Sequence, residues 1–192
     1  MTGILGLITA AITALPPVLG KDKPPTAAAT TVTVLMQNGD FRPPPAPEGV
    51  SQVDSCLVGR WTGTIYNRTF RVDDTPVELR PMPGASFGII FRDDGTGTDM
   101  AIGETVLTGS AGGYNVTLTE RGTSLFQFVG RGGDLALKTT DDKNYDYSVV
   151  INDQVIPKEH LQDSGAYTIR YMCSPGQLTL TSSFFHLEYA KG

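Results

Sequence analysis

Chemistry in this chain would have to come from few side chains. Among 192 residues there are 2 cysteines and 2 histidines, with 20 Asp and Glu against 15 Lys and Arg. His160 and His186 stand far apart, and neither belongs to a paired metal motif, so they specify no zinc site with the two cysteines. The run Asp93-Asp94-Gly95-Thr96-Gly97-Thr98-Asp99 offers oxygen atoms of the kind calcium takes. Its spacing is wrong, because threonines occupy positions 96 and 98 where a calcium loop needs carboxylates or amides, and no bidentate Glu follows at the required offset. A hairpin turn with Asp-Gly at its tip explains the run better, and Asp141-Asp142-Lys143-Asn144 reads as a solvated turn. Thr108-Gly109-Ser110-Ala111-Gly112 lacks the G-x-S-x-G spacing of a nucleophile elbow. The expectation is a non-enzyme with no catalytic, cofactor-binding or metal-ligating residues and no cofactor.

The elements that would position any site are strands. Tyr114, Val116 and Leu118 alternate with polar neighbours, as do Tyr145, Tyr147, Val149 and Ile151. The same two-residue period recurs in Phe87, Ile89 and Phe91, in Leu135 and Leu137, in Tyr167, Ile169 and Tyr171, in Leu178 and Leu180, and in Phe185, Leu187 and Tyr189. With Trp61 to Tyr66 and Leu125 to Val129, about nine short strands result. Asp94-Gly95, Gly112-Gly113, Arg121-Gly122, Gly132-Gly133-Asp134 and Ser174-Pro175-Gly176 read as the turns between them. The fold class is therefore all-β, an antiparallel barrel or, alternatively, a β-sandwich. One short helix is expected from Pro157 to Asp163, with Pro157 at its first position.

Cys56 and Cys173 lie at opposite ends of the strand-rich region. An antiparallel barrel brings its early and late strands together when it closes, which would place the two thiols within bonding reach. A Cys56–Cys173 disulfide implies an oxidising compartment. The alternative is two buried free cysteines acting as small hydrophobes.

The N-terminal part differs in composition. Residues 1–20 carry no charge, and the apolar stretch over residues 3–15 stops at Pro16-Pro17. Thirteen helical residues rise about 20 Å, short of a bilayer core. The stretch reads as an apolar helix, acting as a cleaved signal, a membrane-surface anchor or a docking helix, although no Lys or Arg precedes it as in most signals. Residues 21–55 read as a Pro-rich arm, stiffened by Lys23-Pro24-Pro25 and Arg42-Pro43-Pro44-Pro45-Ala46-Pro47. Thr31 to Leu35 alternates like a strand, either an edge strand of the chain's own sheet or one added to a neighbouring subunit. Residues 56–192 form the β domain. The net charge of −5 gives no overall cationic field, so a nucleic-acid partner is not expected.

The segment Cys56-Leu57-Val58-Gly59-Arg60-Trp61 opens the β domain. Gly59-x-Trp61 resembles the G-x-W opening of lipocalin-like barrels, and the longer C-L-V-G-x-W form is similar to that of poorly characterised bacterial envelope and secreted β-barrel domains. Phe91-Arg92-Asp93-Asp94-Gly95 resembles the F-x-x-D-G hairpin of that family. Tyr171-Met172-Cys173-Ser174-Pro175-Gly176-Gln177-Leu178-Thr179-Leu180 resembles its late Y-x-C-x-x-x-x-L-x-L strand pair. The resemblance covers about residues 54–190. It implies that Gly59 permits close backbone approach and that the Trp61 indole plugs the closed end of the barrel. Lipocalins also place a basic residue from a late strand over the tryptophan, and spacing assigns that role to neither Arg170 nor Lys191.

Two functions fit these readings. The first is a non-enzymatic, extracytoplasmic lipocalin-like domain that binds a small apolar ligand or a protein partner. Its aromatic pocket would be lined by Phe87, Phe91, Tyr114, Phe126, Phe128, Tyr147, Tyr167 and Tyr171. The second is a structural subunit of an envelope complex or virion, attached to a protein partner through residues 1–50.

Overall fold

The computed structural model describes residues 53–157 and 166–192, together with the backbone of two short pieces, Ala10–Ala11 and Thr31–Val32. All regular structure among the described residues is β. The elements are β1 (Ala10–Ala11), β2 (Thr31–Val32), β3 (Gly59–Val72), β4 (Thr75–Pro81), β5 (Phe87–Phe91), β6 (Thr96–Ala111), β7 (Tyr114–Arg131), β8 (Asp134–Ile151), β9 (Gln154–Ile156), β10 (Ala166–Ser174), β11 (Gln177–Thr181) and β12 (Phe185–Lys191).

Strands β3 to β12 form one antiparallel sheet of ten strands. It closes in a ring because β10 pairs on one edge with β11 and on the other with β8. Around the ring the order is β3, β5, β6, β7, β8, β10, β11, β12 and back to β3. The remaining two strands extend it to one side, β4 bridging the far ends of β3 and β6, and β9 lining the far end of β8.

Strands β7 and β8 are each 18 residues long, where two short strands apiece were expected. Arg121-Gly122 does not turn the chain. Gly122 continues β7 between Ala101 and Tyr145, with φ of 92°, a left-handed conformation that glycine adopts without a side-chain clash. Asp141 to Asn144 likewise lies inside β8, opposite Leu125 and Thr123, where the register of β7 and β8 slips. These residues bend the strands through bulges rather than reversing them. The tight reversals lie elsewhere. Gly112 and Gly113 both have positive φ between β6 and β7, as do Asp73 and Asp74 before β4 and Asn152 and Asp153 before β9. Two consecutive positive-φ residues are what a two-residue hairpin turn matched to strand twist requires.

The bends divide the apolar interior into two clusters. In the ring, Leu57, Trp61, Ile89, Phe91, Phe126, Phe128, Leu135 and Leu178 are among the buried residues of one cluster. In the extension, Phe70, Val72, Val77, Leu79, Leu107, Leu118, Val149 and Ile156 belong to the other. Tyr66 is half-buried against both.

In the N-terminal part, Ala10–Ala11 is extended and pairs with Thr31–Val32 in a two-stranded sheet of its own. Ala10–Ala11 is therefore extended where a helix was expected, and Thr31–Val32 pairs with it rather than with the main sheet. The rest of the apolar stretch and of the Pro-rich arm, and the expected helix beyond Pro157, lie outside the described residues.

Candidate functional site

The end of the ring that holds Trp61 is fastened by several independent contacts. Leu57 is fully buried, and its carbonyl accepts the indole N–H of Trp61 at 2.7 Å. Trp61 itself is 2% exposed. The register of β12 against β3 sets Lys191 opposite Trp61, and the Lys191 ammonium lies 5.4 Å from the centre of the indole ring. That is cation–π range. Gly59 makes room for this side chain, since a Cβ there would sit 3.3 Å from Lys191 Cε on a backbone of φ 141°. Cys56 and Cys173 form a disulfide, with Cα atoms 6.0 Å apart. Next to them the Tyr171 hydroxyl donates a hydrogen bond to the Asp54 carboxylate. Burial, followed by that bond, pushes the Tyr171 phenol up to about 12. A shallow recess of ≈ 280 Å³ opens beside the disulfide, bounded by Trp61, by the β10–β11 turn at Ser174, Pro175 and Gly176, and by Lys191.

The eight aromatic residues named from the sequence do not share one pocket. Phe87, Phe91, Phe126, Phe128 and Tyr171 lie in the ring cluster with Trp61. Their rings pack on one another: Phe91 meets Phe128 at 4.8 Å and Phe126 at 5.6 Å edge-on, and Phe87 lies 4.9 Å from Tyr66 and 5.7 Å from Tyr189. Tyr114 and Tyr147 pack instead against the second cluster. The backbone of Tyr167 pairs with Leu137, and its side chain lies outside the described ones. Register separates the two groups, because the bulges in β6 and β7 fall between them.

Between the clusters lies a group of polar side chains that the strand pattern did not single out. Glu120 is 3% exposed. Its Oε2 accepts the Tyr66 hydroxyl at 2.8 Å and its Oε1 accepts Arg68 Nη1 at 2.8 Å. On the neighbouring strand Asp99 pairs with Ile89, which pairs with Trp61, so the carboxyl shares a sheet face with the ring cluster. The Met100 amide donates to it at 3.0 Å. Burial, and then the charge of Glu120, pushes Asp99 up to about 7. Burial and Glu120 also hold the Tyr66 and Tyr145 phenols well above their usual range. The signal was present in the alternation itself. Val116, Leu118 and Glu120 occupy one face of β7, as Tyr66, Arg68, Phe70 and Val72 occupy one face of β3, so charges fall on inward positions.

This arrangement can hold a carboxylate firmly and exchange a proton near neutrality. Glu120 has both oxygens engaged, which suits an internal tie between β3 and β7. Asp99 is the group whose protonation changes around pH 7.

The remaining candidates resolve locally. Asp94 Oδ1 accepts the Thr96 amide at 2.9 Å and the Thr96 hydroxyl at 2.7 Å, closing the β5–β6 hairpin. The Thr96 side-chain bond, then its amide, lowers the Asp94 pKa. No group of three or more His, Cys, Asp or Glu that could hold a metal occurs among the described residues. His186 pairs with Asn67 across the β12–β3 ladder, and its Nε2 lies 2.9 Å from Glu188 Oε1. His160 lies outside the described residues. Compared against protein families, curated proteins and solved structures, the chain matches none of them.

Proposed function

We propose that the closed ring is a lipocalin-like barrel, and that the protein is a non-enzymatic, extracytoplasmic domain that binds a small apolar ligand. The observation that carries this reading is the Lys191 ammonium over the Trp61 ring, beside Gly59. Spacing left the basic residue over the tryptophan unassigned, and the position of Lys191 opposite Trp61 in the β12–β3 register supports this reading. The Cys56–Cys173 disulfide fits an oxidising compartment.

The rings around Phe91 pack edge-on against Phe126 and Phe128 inside the ring, so the apolar ligand is assigned to the other side of the bulges. There Tyr114 and Tyr147 stand at the margin of the aliphatic cluster, and aromatic walls take apolar ligands without specific polar geometry. Titration with the neutral fluorophore N-phenyl-1-naphthylamine tests the reading. Saturable enhancement is expected, with amide shifts grouped around Tyr114 and Tyr147. The absence of a saturable signal, or shifts confined to the Trp61 end, would overturn it.

A further inference from the structure

We propose that the recess at the plugged end is a separate binding site, taking a small organic acid whose carboxylate meets the Lys191 ammonium and whose short apolar body lies on the Cys56–Cys173 disulfide and Pro175. Of the side chains lining it, only Ser174, Lys191 and the Trp61 indole carry a polar hydrogen-bonding group, and the indole N–H is taken by the Leu57 carbonyl. The ammonium is the one charged group lining it, in a chain whose net charge is −5. Lys191 forms no ion pair among the described residues. The carboxylate two positions before Cys56, that of Asp54, is engaged by the Tyr171 hydroxyl.

An indole face attracts the cation but accepts none of its hydrogen bonds in the way an oxygen does, so the N–H donors of Lys191 remain available to an anion. The site is also held in shape without a ligand. The Lys191 amide donates to the Gly176 carbonyl at 3.0 Å, tying β12 to the β10–β11 turn, and the disulfide fixes the facing wall. A volume of ≈ 280 Å³ is at the small end of ligand pockets, which run upward from roughly 300 Å³. This selects a short chain or single ring rather than a long lipid.

The site differs from the proposed apolar-ligand site in position and in its demand for negative charge, so the two readings fail separately. The chain contains 1 tryptophan, so intrinsic fluorescence reports on this recess directly. Octanoate is expected to change the Trp61 emission saturably, with amide shifts at Ser174 and Gly176, and to bind roughly fivefold more tightly than octanol, the upper margin of an exposed ion pair. That margin should shrink in 0.5 M salt. Lys191→Met should remove it and Lys191→Arg should keep it. The comparison of octanoate with octanol on the unaltered protein needs no variant to fold. Equal binding of acid and alcohol, an unchanged preference in Lys191→Met, or shifts near Tyr147 instead of Gly176 would each overturn the proposal. Octanoate binding that persists when N-phenyl-1-naphthylamine is saturating supports it, and simple competition between the two overturns it.

Discussion

The same four strands, β3, β6, β7 and β8, build two regions that are held together by different means. Around Trp61 they belong to a closed ring, and aromatic rings meet edge-on at separations of 4.8 to 5.7 Å. A disulfide and an indole hydrogen bond add directional ties. Beyond the bulges the same strands pack mainly aliphatic side chains with Phe70 among them, the β4–β6 ladder is only two residue pairs long, and β9 contributes three residues. The first half adds a covalent tie and edge-on aromatic rings to burial, whereas the second adds side-chain hydrogen bonds at its rim, from Tyr114 to Asp73 and from the Asn115 amide to Asn152. The proposed apolar-ligand site is placed in the second half, where no disulfide or edge-on ring stack has to be broken for side chains to repack.

The most severe way to break this asymmetry is to remove the covalent tie. Replacing both Cys56 and Cys173 with alanine releases a closure over 117 positions, at a cost of about 5 kcal/mol in the chain-entropy picture. Because the four long strands are continuous through both regions, urea unfolding should remain a single transition at a lower midpoint. Hydrogen exchange should show protection falling in β7 on both sides of Gly122. Loss of protection around Trp61 alone would mean that the two halves fold independently.

The alternation that predicted strands is a local property, and it survived because each strand buries one face. The cysteine pair was also legible, since closure of an antiparallel sheet brings early and late strands together. Gly122 and the Asp141–Asn144 run were misread because glycine and acidic residues serve a bulge as readily as a turn, and only the partner strand decides between them. The division of Phe91 and Phe126 from Tyr114 and Tyr147 was invisible for the same reason. Lys191 could be set over Trp61 only once the β12–β3 register was known.

The seam between the halves offers the next test. Glu120→Ala leaves Arg68 and the Tyr66 hydroxyl without the acceptor that they share, and should cost about 3 kcal/mol. Replacing the group together, as Tyr66→Phe and Arg68→Met with Glu120→Leu, should recover most of that loss, because no buried polar group is then left without its partner. Guanidinium denaturation of both variants distinguishes a tie that stabilises from one that merely needs its partner. A combined variant as damaged as the single one would show that the polar group itself joins the halves.

The smallest expected effect is also the most specific to the seam. Asp99 ionises near 3.8 when unfolded and at about 7 when folded, so between those values the folded protein retains a proton that the unfolded chain releases. Stability contributed by the protonated group is present below pH 4 and is lost as pH rises to 7, after which the slope from this residue ends. Asp99→Asn keeps an oxygen for the Met100 amide but removes the titration. Relative to the unaltered protein it should gain on the order of 2 kcal/mol between pH 4 and pH 8, less than the whole shift implies because Asp99 is only partly shielded from water. Urea midpoints at several pH values measure this difference. Because Glu120 contributes to raising the Asp99 pKa, Glu120→Gln should move the same step to lower pH. A step that stayed in place would assign the shift to burial alone and uncouple Asp99 from the β3–β7 tie.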